Sequence, residues 1–597
     1  MRIFPTVPGF NGLSFNNTDG GIGYDDYLSL DLNFALTKTL EPRVTFSRSS
    51  GATNIGPAGL VEWAPENLLT RSGEFNTAPW ATLNGTATPT TVLDPTDGLA
   101  AYSFVENTAS GNHQIFQTLN TAIGVQTFSI FIKAAGRTSC QLLLFNATNG
   151  SFGRVNVDLS TGALSSVIGS ASVQQFSNDW WRVSVTGTST VLASSVNILL
   201  VNNDTTSYTG NGVSGVLLYG AQIQRGTSPT AYIITTTSAV YGPRFAHNPV
   251  TLASQGLLIE EARTNLFARS EEFSDAYWTK TRLSISANAT TAPDGVVTAD
   301  KLVEDTSTGS HEISRAINVT SGQAYTFSIF IKKAERSRVS MELPFSFPAG
   351  ASAVFDADAG TVVSTGAAAT ASISALPNGF YRCVLTATAN ATATGTLYLK
   401  LVDTGTNTSY TGDGTSGLFI WGAGAEAGSF VTSYIATTTA SATRAADVAT
   451  ITGPNFSSWF KQAAGTIAVN YAPPPIPFPS SPRFESVFRF GPSAERWGLL
   501  NGGSTLNYQT QVFRGGVFIG SSAAVPQSSS MAYAFAWDVS GHAQSYNATA
   551  ATTSSVSPTT NVNTELLIGT SNLCGTIARI RFYNRRLPNA SIQIIST

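Results

Sequence analysis

The sequence predicts an all-β protein: tandem jelly-roll β-sandwiches, followed by a third and different sandwich. Three observations point there. The string TFSIFIK occurs twice, at Thr127–Lys133 and Thr326–Lys332. Within it Phe128, Ile130 and Ile132 alternate with Ser129, Phe131 and Lys133, the period of a half-buried strand. Many such short stretches are separated by Gly, Asn and Ser turns, among them TGNG and TGDG, where Asn-Gly and Asp-Gly tolerate positive φ. Finally, charged residues are only 12% of the chain, while it holds 34 Phe and 18 Tyr. That composition suits sheets with long polar loops and suits helices poorly.

Residues 1–42 are rich in Gly and Asn and match nothing later in the chain. Their stretch YLSLDLNFAL alternates Leu28, Leu30, Leu32 and Phe34, which predicts a strand or arm packed on the first domain. A docking segment for a larger assembly is the alternative. Residues 43–245 and 246–448 then form a repeat. Asn67 answers Asn265, Trp80 answers Trp278 and His113 answers His311 at the same spacing. NDWWRVSV answers NGFYRCVL, and SYTGNGVSG answers SYTGDGTSG. Two copies of a whole domain are a tandem rather than a solenoid. Short helices are expected only around 67–75 and 265–273. The bridge from Ser238 to Gly256 has no long flexible run, so the copies should be rigidly joined.

Residues 449–597 open a different sandwich. A Pro cluster (Pro473, Pro474, Pro475, Pro477, Pro479) predicts an extended loop. MAYAFAWDVSG alternates Tyr533, Phe535 and Trp537 as a strand would, and SIQI near the end predicts a short helical turn.

The net charge of −3 offers no electrostatic case for nucleic acid or an anionic membrane. Three widely spaced cysteines (Cys140, Cys383, Cys574) argue against a disulfide framework or zinc site. The start MRIFPTVPGF lacks the apolar core of a signal peptide, and no 18-residue apolar run suggests membrane insertion. Synthesis in a cytoplasm follows, with release by lysis as a route outward.

Several strings together resemble structural proteins of bacteriophage and prophage particles, tail- or fibre-associated ones above all. They are LDLNFALTKTLEPRVTFSRSSGAT, GPRFAHNPVT followed by GLLIEEARTNL, and SYIATTTASATRAADV. The resemblance implies carbohydrate-binding-module-like jelly rolls after these strings. GTIARIRFYNRRLPNASIQ similarly resembles the end of a concanavalin A-like (laminin G-like) sandwich. The match departs from the pattern at Ala246, where an acidic residue is usual. The first copy also lacks the counterparts of Glu261 and Arg263.

Aromatic rings are the usual platform for a pyranose face. Alternation places Trp181 and Tyr381 in the core and turns Trp180 and Phe380 outward, with Arg182 and Arg382. Trp180, Phe380, Tyr219, Trp421, Tyr208 and Tyr410 are therefore the glycan-binding candidates, each weighed against a packing role. Phe131 and Phe330 face away from the Ile side and are candidates for packing on a neighbouring domain or subunit. No cofactor is expected, apart from a possible structural calcium at Asp94, Asp97 or Asp294. Trp80 and Trp278 read as core anchors, and His113 and His311 as structural hydrogen-bonding residues. No HExxH, GxSxG or phosphate loop is present, and Glu260 and Glu261 diverge on a strand. No catalytic residue is expected.

These readings converge on a non-enzymatic virion protein, carried on the tail and displaying lectin-like domains to host surface polysaccharide. It would be a homo-oligomer, a trimer by preference, docked to other virion proteins through residues 1–42. The alternatives are a capsid decoration or head fibre, and a polysaccharide depolymerase.

Overall fold

The computed structural model describes residues 27–597, apart from 121–122, 149, 474–485, 493–495, 502–506, 515–516, 527–529, 559–562 and 570–572. Most of the Pro cluster and of the 1–42 docking segment therefore lies outside the described residues. The protein is all-β, with many antiparallel sheets.

The two repeats fold alike. Each packs two six-stranded antiparallel sheets face to face, and the order of strands is the same in both copies. The duplicated string lies in the centre of one sheet, within Gly124–Ala135 and Ala324–Lys333. Phe128, Ile130 and Ile132 have no exposure and meet Leu142, Val155 and Ile198 of the facing sheet. Phe327, Ile329 and Ile331 do the same in the second copy. Each string carries a bulge against its neighbour, after Ser129 and after Ser328. The bulge is made by Gly220 (φ +59°) and Gly422 (φ +63°). A Cβ at Gly422 would lie 2.8 Å from the Phe330 ring, so glycine is required there.

The segments 67–75 and 265–273, expected as short helices, are extended and turning instead. Asn67 explains why. Its Nδ2 donates to Ala221 O (3.0 Å) and Ile233 O (2.8 Å), while its Oδ1 accepts from Leu69 N (3.2 Å). Asn265 makes the matching bonds to Ala423, Ile435 and Phe267. Each Asn clasps the opening of its repeat to the closing strand, an alternative to helical pairing. Trp80 and Trp278 are buried, and each indole donates to the carbonyl of an Arg nine residues earlier (2.9 Å).

The third sandwich packs two eight-stranded sheets over a core of Phe490, Trp497, Phe535, Trp537 and Phe582. Its ladders cross the boundaries read from the sequence. Leu28–Leu32 and Ser254–Glu260 lie end to end along one edge of the late strand Cys574–Tyr583. Thr45–Ser47 pairs with Val448–Thr452 in the other sheet. The early strand thus packs on the C-terminal sandwich, not on the first repeat. Phe34, expected to continue that strand, is buried from a short helix, Phe34–Thr37, capped by Asn33. The C-terminal helix Asn589–Ile595 covers the outer face of one sheet through Ile592 and Ile595.

Where these segments meet, three guanidiniums and two carboxylates are buried together. Arg244 has no exposed surface and pairs with Glu260 (2.6 Å) and Asp447. Arg48 reaches Asp447 (2.8 Å), and Arg444 reaches Glu260 (2.9 Å). Backbone and hydroxyl groups complete the set: Arg244 donates to Thr53 O (3.0 Å), and Ser433 Oγ donates to Glu260 (2.6 Å). Burial alone would push the Glu260 carboxyl up. Arg444, Arg244 and Ser433 overcome it and hold the group well below the carboxylate range.

Removing one partner leaves a buried charge unpaired. Asp447→Asn should therefore lower stability by about 3–5 kcal/mol in urea unfolding, and Arg244→Met by a similar amount. A loss below about 1 kcal/mol in both would show that the cluster does not hold the segments together.

Candidate functional site

The outward face of the duplicated string builds a nest of aromatic rings in each repeat. The expectation that Trp180 and Phe380 face solvent is overturned, because both have no exposure. A tight turn with Asn178 or Asn378 at positive φ precedes each of them. It leaves each ring against Phe131 or Phe330 on a face that is itself covered. Trp181 and Tyr381, expected as core, are half-buried and pack at the rim of the core. The Trp181 indole donates to Leu159 O (2.8 Å). Phe131 and Phe330 are both buried.

What covers the nest differs between the copies. In the second repeat it is a hairpin from the other end of the chain, Thr53–Ile55 paired with Val61–Trp63. Ile55 and Val61 pack on Phe330, Phe380, Trp421 and Tyr434. Val61 N donates to Pro293 O (3.0 Å), and Thr53 Oγ1 donates to Tyr434 O (2.5 Å). The tip is Gly59 (φ +78°), where a Cβ would meet Pro249 O and Pro377 at 2.7 Å. Trp421 is consequently sealed. Phe330 packs on this hairpin, whereas Phe131 packs among residues of its own repeat.

Among the described residues no such hairpin lies on the first repeat. There the segment 92–98 folds over Trp180, whose indole donates to Leu93 O (3.0 Å). Phe131, Tyr219 and Tyr232 stack edge to face at 5.7 and 5.6 Å. Tyr219 and Tyr232 remain half-buried. Beside them Ile234 is 69% exposed, whereas its counterpart Ala436 packs against the hairpin-covered cluster. Tyr232 Oη shares a hydrogen bond with Ser72 Oγ (2.8 Å). The neighbouring Gly73 leaves open the place that Glu271 fills in the second repeat. Glu271 accepts from Tyr434 Oη (2.8 Å), and burial and the nearby Asp294 push its carboxyl up to about 7. The first repeat therefore offers a shallow ring platform that the second keeps under cover.

Tyr208 and Tyr410 serve their own loops. Tyr208 Oη donates to Glu106 (2.6 Å), which also holds Arg137, and His113 stacks on the Tyr208 ring at 4.7 Å. Tyr410, Glu304, Arg336 and His311 repeat the arrangement. His113 and His311 each bridge two backbone carbonyls. The two Glu–Arg pairs were not singled out in the sequence. Their nearly equal spacing, 31 and 32 residues, in a chain so poor in charge, was the available signal.

The Asp94 carboxylate is taken up by its own loop, accepting from Thr96 N, Gly98 N and Ala100 N. Asp97 accepts from Asn178, and Asp294 accepts from Val296 N. Among the described residues no three His, Cys, Asp or Glu come together. Glu260 belongs to the buried cluster, and Glu261 pairs with Arg263 at 2.5 Å. A groove of about 520 Å³ opens at one end of the first repeat, lined by Phe152, Ser170, Thr186, Thr188 and Thr227 and by no charged group. At the position of Gln126 beside this groove the second repeat places the buried Tyr325, which packs edge to face on Phe347.

No family model matches the chain, and no curated protein matches it. Among solved structures, a Trypanosoma rangeli sialidase in complex with sialic acid aligns over 93% of this chain and 98% of its own. The identity is 11% and the TM-score 0.17, which carries no argument about fold or function.

Glu106 yields a pH test. Burial opposes its charge, but Arg137, Tyr208 and Asn211 N overcome that and bring it from 4.5 to about 2. A depressed carboxylate contributes stability above its unfolded pKa and loses it as pH falls through the folded value. Between pH 4.5 and 2 the protein should lose about 3 kcal/mol through this group. Glu106→Gln should flatten that part of the pH–stability curve; an unchanged slope would rule the pairing out as its source.

Proposed function

We propose that the chain is a structural protein of a bacteriophage particle, carried on the tail, that attaches the particle to host surface glycans through its first repeat. The observation that supports this most is the asymmetry of the ring nests. The same aromatic face is closed by the chain's own hairpin in one copy and left open at Tyr219, Tyr232 and Ile234 in the other. A pyranose ring stacks on such a platform through its C–H face, against the half-buried rings of Tyr219 and Tyr232. The buried charge cluster holds the modules in a fixed arrangement, which suits projection from a particle. A single shallow site binds weakly, and several copies on one particle raise the avidity through effective concentration.

Purified protein should be retained on immobilised host envelope polysaccharide. Tyr219→Ala should weaken that retention about tenfold, the order of one lost aromatic contact. Absence of retention by the unaltered protein would refute the attachment reading. Imaging of whole particles with a label on the C-terminal helix should place the protein on the tail; label on the head lattice would overturn that placement.

A further inference from the structure

The second repeat differs from the first at one more place. In the first, the strands Ser139–Asn146 and Gly150–Asp158 are joined by three residues. In the second, Arg338–Glu342 and Ser352–Asp356 are joined by nine, Leu343 to Ala351. This longer loop is braced. Leu343 and Phe347 are buried, and Phe347 packs edge to face on Tyr325 and Phe327. Leu343 N donates to Ala351 O (2.9 Å), Asn390 N donates to Ser346 O (2.9 Å), and Ser346 Oγ donates to Thr394 O (3.0 Å). Pro344 and Pro348 restrict the backbone further.

Between these anchors stands Phe345, 70% exposed, at φ +60°, with Ser346 at φ +57°. A bulky residue in the left-handed region is an outlier that only a well-determined surround maintains. Here the bracing spends that strain on holding an aromatic ring in water. The surround also has a chemical character. Ser346 binds Asn390 and Thr394, Thr394 reaches Asn318, and Ser321 N donates to Thr392 Oγ1. The three segments that meet here, 317–323, 343–351 and 389–395, contain hydroxyls and amides and not one charged side chain.

We propose that Phe345 and its rim are a carbohydrate-binding site of the second repeat, selective for neutral hexopyranose chains. The ring supplies the stacking surface for the apolar face of a sugar. Ser346, Asn318, Asn390 and Thr392 supply donors and acceptors for its hydroxyls. The absence of cations on the rim disfavours acidic sugars and anionic lipid alike. This inference rests on the glycan-attachment reading and adds a site at a different place on the molecule. The second repeat, whose ring nest is closed by the hairpin, binds through its loop tip instead.

The test is calorimetric titration of the whole protein with neutral gluco-, galacto- and manno-hexasaccharides, with an acidic hexasaccharide as control. Phe345→Ala should weaken binding of one neutral series about tenfold, and Phe345→Trp should retain it. Phe345→Gly separates function from packing. It should weaken this binding about as much as Phe345→Ala does and raise the melting temperature, because glycine relaxes the positive φ. A Phe345→Gly protein that melts lower would mark the ring as structural and overturn the proposal. So would equal binding by the unaltered protein and Phe345→Ala, or a preference for the acidic control. Binding lost on Tyr219→Ala but untouched by Phe345→Ala overturns this site alone, whereas no binding of any sugar overturns it together with the attachment reading.

Discussion

The fold turns on the burial of Arg244. A guanidinium without exposed surface is held only if carboxylates and acceptors surround it on nearly every side. Its partners come from widely separated stretches: Thr53 near the start, Glu260 just past the bridge between repeats, Ser433 and Asp447 at the end of the second. Arg48 and Arg444 share the same two carboxylates. No one of these stretches satisfies the charge by itself, so the cluster fixes where the chain must enter and leave each repeat. The strings SRSS, GPRF, GLLIE and TRAADV, singled out in the sequence, are those that supply this cluster. In this chain those strings serve to lock segments distant in sequence together.

Duplication gave two copies of one sandwich, and the surroundings have made them unequal. The hairpin at Thr53–Trp63 belongs to the opening of the first repeat in sequence but lies on the second. It converts Trp421 and Tyr434 from surface rings into interior ones, while Tyr219 and Tyr232 keep partial contact with water. One chain thus holds a fully covered and a partly covered version of the same face.

Much of this was legible in the sequence, because strand periodicity and repeat spacing are local. The alternation in TFSIFIK located both cores, and the spacing of Trp80, Trp278, His113 and His311 matched residues that do the same work in each copy. The failures share one cause. Alternation says which side of a strand a residue is on, not what lies over that side. Trp180 and Phe380 were assigned to a wet face that turned out to be roofed, by segment 92–98 in one repeat and by residues 200 positions or more away in the other. The helical expectation at 67–75 failed in a similar way: Asn67 bonds to carbonyls of Ala221 and Ile233, and a local reading cannot see partners so distant. The open platform of the first repeat depends on Gly73 and Ile234, neither of which announces itself by type.

The late strand Cys574–Tyr583 sets an order of events during synthesis. It is the common neighbour of Leu28–Leu32, Ser254–Glu260 and Gly465–Ala472. As the chain leaves the ribosome, each repeat can close on its own contiguous strands, but these three wait for a partner that is made near the end. The edge of Leu28–Leu32 waits longest, its N–H and C=O groups open to strand-to-strand aggregation while about 540 further residues are made. A nascent chain cut short before residue 574 would carry two finished sandwiches and one that cannot close. A truncated copy would thus be kept from the native state by the fold itself.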